Sequence, residues 1–143
     1  MNKLSLIVLF IVVGSISTAS LAEDSIPVVP GQYSVKSTTT SNLNPEPKSQ
    51  TEEHCIPIDK FTPSMALPDA TCTASNIKKS SNVLTFDIKC PGNDQRPPMT
   101  SKAEVVTTKS TLNIKMDIVN TFEDKVYSVK SLSEGKRIGE CKQ

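Results

Sequence analysis

The chain has no tryptophan and a single histidine, His54, and its remaining aromatic residues are four phenylalanines and two tyrosines. Beyond Phe10 these are Tyr33, Phe61, Phe86, Phe122 and Tyr127. So few large side chains allow only a modest core. The lone histidine weighs against a histidine-rich metal centre. It weighs equally against an acid–base enzyme, where a histidine base needs a nucleophile and an orienting acid beside it. Glu52 and Glu53 adjoin His54, and Glu52 shares its face in an extended chain, but two ligands make a poor metal site. There is no Cys-x-x-Cys pair, Gly-x-Ser-x-Gly elbow, Walker-type loop or dinucleotide fingerprint. No cofactor and no catalytic residue is expected. An excess of either charge is missing too, with 16 basic and 15 acidic residues. That balance argues against nucleic acid and anionic membranes as partners.

Long apolar runs are absent except at the start. Met1-Asn-Lys3 is a short basic segment, Leu4 to Val13 is apolar but for Ser5, and Ala19-Ser-Leu-Ala22 precedes Glu23-Asp24. The apolar run is about half the ~20 residues needed to span a bilayer. The pattern is that of a Sec-type signal peptide cleaved after Ala22. It predicts a soluble protein of the periplasm or exterior, with no membrane anchor, whose residues 23–143 form one domain. Four cysteines in a small exported chain agree, because disulfides persist outside the cytosol.

Three connectivities are open to Cys55, Cys72, Cys90 and Cys141. In Val83 to Cys90, Leu84, Phe86, Ile88 and Cys90 share one parity and Thr85, Asp87 and Lys89 the other, the mark of a strand with one buried face. Lys78 to Asn82 is a polar turn. Folding the segment about Ser81 sets Ala74 against Ile88 and Cys72 against Cys90, within reach of a disulfide. The hairpin therefore favours Cys72–Cys90, which leaves Cys55–Cys141.

Sustained helical periodicity is lacking after the leader. Strands are predicted at Gly31–Thr40, Gln50–Ile56, Thr100–Thr107, Leu112–Ile118 and Lys125–Leu132, with a last short one at Lys136–Cys141 after a turn at Ser133–Gly135. Pro57–Pro68 reads as irregular. The prolines fall outside the alternating runs, as ladder geometry requires. Seven or eight short strands predict an all-β antiparallel meander. A curled, barrel-like sheet is expected ahead of a sandwich, because so wide a sheet must hide its apolar face.

Pro30-Gly-Gln-Tyr-Ser-Val35, Cys55-Ile-Pro57, Cys72, the strand ending in Cys90, Met99-Thr100 and Gly135-Lys-Arg-Ile-Gly-Glu-Cys141 together resemble an exported bacterial family, domain of unknown function 3617 (DUF3617). Tyr33 and Phe86 stand where that family often has tryptophan, a conservative exchange for an inward aromatic. The resemblance implies a bacterial, periplasmic protein and carries no catalytic residues.

The functional expectation is a non-enzymatic binding module, recognising an envelope protein through its Pro-rich loops 41–49 and 91–98. The alternative is a carrier of a small apolar ligand or lipid, lined by Leu112, Ile114, Met116 and Ile118. A monomer is expected in either case. Glu123-Asp124, Lys78-Lys79 and Lys136-Arg137 read as solvated turns.

Overall fold

The computed structural model describes residues 23–143; the expected signal peptide and its cleavage site lie outside them. The strands are β1 (Ile26–Pro27), β2 (Gly31–Ser41), β3 (Lys48–Ile56), β4 (Lys60–Phe61), β5 (Thr73–Ser80), β6 (Val83–Cys90), β7 (Met99–Thr107), β8 (Thr111–Phe122) and β9 (Lys125–Gly139). Seven of them form one antiparallel sheet in the order β3-β2-β9-β8-β7-β6-β5, and β1 pairs with β4. The all-β antiparallel class is as the alternation predicts. The sheet is open rather than closed into a barrel, with β3 and β5 as its edges.

Loop 91–98 joins β6 to β7, while short turns join β5 to β6, β7 to β8 and β8 to β9. Asn82 shows how they are fixed: its amide donates to Thr107 O at 2.6 Å, while Thr107 N donates to Asn82 O at 3.0 Å. The β5–β6 turn is thereby tied to β7. Lys125–Gly139 is one strand, without the turn expected at Ser133–Gly135. Both neighbours pair through that stretch, Ser37 and Ile114 with Ser133, and Val35 and Leu112 with Gly135. Gly135 is required there because an added Cβ would sit 2.9 Å from Leu112 O and 3.4 Å from the Tyr33 ring. Tyr33 covers the glycine and takes up the space its side chain leaves.

The disulfides are Cys72–Cys90 and Cys55–Cys141. The second does not close a barrel. Gln32 pairs with Cys55 on one side and with Gly139 on the other, so the bond reaches across the start of β2 between β3 and the end of β9.

The first bond depends on one irregularity. The turn holds only Ser81 and Asn82, with Ser80 facing Val83. Continued without a break, that register would set Cys90 against Thr73. A bulge between Ser75 and Lys78 shifts it by one, so that Ala74 faces Ile88 and Cys72 comes to Cys90. Asn76 sits in the bulge at φ 51°, a region asparagine tolerates. Its amide donates to Asp87 Oδ2 at 2.8 Å. That bond, with Lys102 beside it, holds the Asp87 carboxyl below its ordinary range against the opposing effect of burial. A depressed native pKa means stability present above the unfolded pKa and lost as pH falls through the native one. In Asn76→Ala, the Asp87 titration followed by NMR should move up toward the ordinary carboxylate value. An unmoved titration would show that Asn76 does not set it.

One face of the sheet carries the core. Leu84, Phe86, Ile88 and Cys90 on β6, Ala103 and Val105 on β7, Leu112 on β8 and Tyr33 on β2 are all buried. Burying each large apolar side chain stabilises by roughly 1.5–3 kcal/mol. The cover comes from the two least regular segments. Ile26, Val28, Phe61 and Pro63 are buried against this face. Val28 N donates to Asp59 O at 2.9 Å, and the Glu23 carboxylate accepts from Ser64 N and Oγ at 2.9 and 3.0 Å. Prolines keep these segments out of long strands, and a pair of two-residue strands suffices to hold them down.

Candidate functional site

Strand direction sorts the loops. The β2–β3 loop, the β6–β7 loop and the β8–β9 turn all emerge at one end of the sheet. The two loops singled out in the sequence thus flank a single hairpin tip, one against β9 and the other against β8. On the β9 side, Asn42 donates through Nδ2 to Val126 O at 2.9 Å and accepts from Ser128 N at 3.1 Å. Its own N–H donates to Ser128 O. Asn44 N donates to Ser41 Oγ at 3.0 Å, closing the loop on itself.

On the β8 side, Asn93 and Arg96 exchange backbone hydrogen bonds at 2.8 and 3.3 Å. The Arg96 guanidinium then turns inward. Nη1 lies 2.7 Å from Asp69 Oδ2, and Nη2 donates to Cys72 Sγ at 3.6 Å. Hydrogen bonds from Thr71 foremost, and then Arg96, keep the Asp69 carboxyl below its ordinary range. Loop 91–98 is thus fastened to the Cys72–Cys90 disulfide. Thr121 N donates to Pro98 O at 3.4 Å. A cavity of about 560 Å³ opens between this loop and the hairpin tip, lined by Asn93, Arg96, Pro98, Phe122 and Glu123 among others. Glu123 and Asp124 form the tip at φ 46° and 59°, a solvated two-residue turn as expected.

This end is unusually apolar for its exposure. Leu43 is 73% exposed, Val126 57% and Phe122 52%. Asn42, next to Leu43, donates to the Val126 carbonyl, and Phe122 pairs with Lys125 across the hairpin, so all three stand on held backbone.

The other residues flagged in the sequence lie elsewhere. Leu112 is buried, and Ile114 and Met116 pack against the core, while Ile118 is half-buried. His54 stands on the edge strand β3 with Nε2 3.2 Å from Glu52 Oε2, both side chains more than half exposed. Among the described residues no three His, Cys, Asp or Glu side chains gather as metal ligands.

Two features escaped the sequence. The face opposite the core bears a row of alternating charge across four strands, Asp87, Lys102, Asp117 and Lys130, each paired with the next. Its first three members line an open trough of about 580 Å³. Opposite charges on adjacent strands stabilise a solvated face, and their signs cancel. Alternation alone places these residues outward, but not in one row. The second is a clasp around the start of β2. Arg137 Nε donates to Pro30 O at 2.9 Å, and its Nη2 pairs with Glu140. Arg137 N donates to Ser110 O at 2.8 Å. An added Cβ on Gly31 would meet Arg137 Nε and Gly139 O at 2.5 Å. Gly31, Tyr33, Gly135 and Arg137 thus make one packed joint, which fastens the first long strand to the last, and Cys141 just beyond it ties the chain to Cys55 on β3.

No curated protein and no solved structure matches the chain. Residues 28–141 match the family described as Protein of unknown function (DUF3617), from the strand-leading Val28 to the clasp cysteine Cys141. The chain belongs to the DUF3617 family.

Proposed function

We propose that the protein is an exported, non-enzymatic binding module. It recognises another envelope protein through the loop end of its sheet. The observation that carries this is the exposure of Leu43, Phe122 and Val126 on hydrogen-bonded backbone. Apolar residues on a stiff frame lose little conformational entropy on binding, so more of their contact energy appears as affinity. Loops on a rigid scaffold are a common place for such contacts. Export accords with the N-terminal leader pattern and with two disulfides in so small a domain. The carrier reading has less support, since Leu112, Ile114 and Met116 take part in the core.

The test compares mature wild-type protein with Leu43→Ser/Phe122→Ser/Val126→Ser. Each is immobilised and exposed to envelope extract, and the bound protein is quantified. The wild type should retain a defined protein at least about ten-fold better than the variant, because losing a few buried apolar contacts costs over a kcal/mol. Melting curves of the two should coincide. Equal retention by both, or bound lipid in place of protein, would overturn the proposal.

A further inference from the structure

The two edges of the open sheet are unlike. β5 is interrupted by the bulge at Asn76 and Ile77 and carries Lys78 and Lys79. A bulge twists an edge and keeps a further strand from adding to it. β3 has no bulge. It pairs with β2 in one unbroken register from Gly31↔Ile56 to Thr39↔Lys48. Residues 48–55 are exposed throughout and include no proline. A straight unpaired row of this length is a ready acceptor for another strand.

The charges along β3 say which strand fits. Lys48, Gln50, Glu52 and His54 project on the core side of the sheet. Consider antiparallel pairing with a second copy about a two-fold axis perpendicular to the sheet at Gln50. Lys48 of each copy then faces Glu52 of the other, Ser49 faces Thr51, and Gln50 faces its counterpart. Neighbouring registers lack these opposite-charge pairs. Centring on Thr51 sets Lys48 against His54 and Ser49 against Glu53. Centring on Glu52 sets two carboxylates face to face, and centring on Ser49 sets Glu46 against Glu52. Facing opposite charges stabilise a strand pair and like charges destabilise it.

We propose that the chain forms a homodimer by antiparallel pairing of β3 with β3 of a second copy, centred on Gln50. Two seven-stranded sheets become one continuous sheet. This replaces the monomer expected from the sequence. In the two copies the β6–β7 loop and the β8–β9 turn lie away from this edge and point in opposite directions, while the same register brings Glu46 and Pro47 of each β2–β3 loop against His54 and Glu53 of the other; the dimer rests on β3 and not on the binding reading above. The interface is isologous, as two-fold symmetry requires.

Sedimentation equilibrium of the mature chain from micromolar to millimolar concentration tests it. The wild type should show a reversible monomer–dimer equilibrium. Lys48→Glu and Glu52→Lys alone should each weaken association about ten-fold, because each variant creates two like-charged pairs. The double variant Lys48→Glu/Glu52→Lys restores opposite charges and should recover the wild-type constant. Both positions are exposed, and matching circular dichroism melts will show that folding is untouched. A wild type that stays monomeric over the whole range overturns the proposal, and so does a double variant no better than the singles.

Discussion

Reduction of both disulfides is expected to unfold the domain at 25 °C. The Cys55–Cys141 bond closes a loop of 86 residues and Cys72–Cys90 one of 18. Chain entropy alone assigns about 4.5 and about 3 kcal/mol to such closures. Their sum falls within the ~5–15 kcal/mol that is the whole net stability of a typical domain. The protein has little to set against that loss, given no tryptophan and a core of medium-sized side chains. Double alanine variants should separate the two bonds. Cys55→Ala/Cys141→Ala should cost the larger loop entropy. Cys72→Ala/Cys90→Ala should add lost packing to the smaller one, since both sulfurs lie in the core. Urea midpoints with and without a phosphine reductant would measure this. An unchanged midpoint in reductant would mean that the sheet stands without its bonds.

Tyr33→Ala should be the most damaging single substitution in the sheet, at about 3–5 kcal/mol. The side chain is fully buried, its ring covers Gly135, and its hydroxyl donates to Val29 O at 2.6 Å. It therefore joins β2, β9 and the lead-in segment at one point. Tyr33→Phe keeps the ring and strands the Val29 carbonyl, which should cost about 1–2 kcal/mol. The same phenol has a pH signature. Burial raises its pKa above the ordinary value, with Arg137 pulling the other way. A raised native pKa means the stabilisation is complete below the unfolded pKa and lost as pH rises through the native one. Alkaline unfolding should accordingly begin at higher pH in Tyr33→Phe than in the wild type, relative to each protein's neutral-pH stability. Identical alkaline profiles would show that the hydroxyl does not ionise on unfolding.

Alternation revealed most of the strands because each buries one face, and parity can be read residue by residue. It set Cys72 against Cys90 only because the bulge at Asn76 offsets a turn tighter than Lys78–Asn82. A bulge is chosen by backbone conformation and by a partner, Asp87, eleven residues on. No local pattern displays that. Ser133-Glu-Gly135 failed for a related reason. Locally the triplet has turn chemistry, and it becomes strand because β2 and β8 pair with it from both sides while Tyr33 fills the place of its side chain. The order β2-β9 joins residues about a hundred apart and leaves no trace in the hydrophobic period. It is also what keeps the sheet open, since Cys55–Cys141 then spans a neighbouring strand instead of linking two edges. At the candidate site, proline and asparagine marked both loops. Their meeting at one hairpin tip depends on strand order, and the exposure of Phe122 cannot be told from its sequence, which continues an inward row.

The adjacency of β2 and β9 also sets a timetable. Synthesis delivers Gly135 about a hundred residues after Tyr33. Until the final segment exists, the first hairpin has nothing to dock on and its tyrosine nothing to cover. A nascent chain can assemble β5 to β8 as it emerges, whereas the β2–β3 hairpin must wait beside them, still extended. Completion requires β9 to take its place between the first hairpin and the meander, and any chain that stops short of residue 125 has no route to that state.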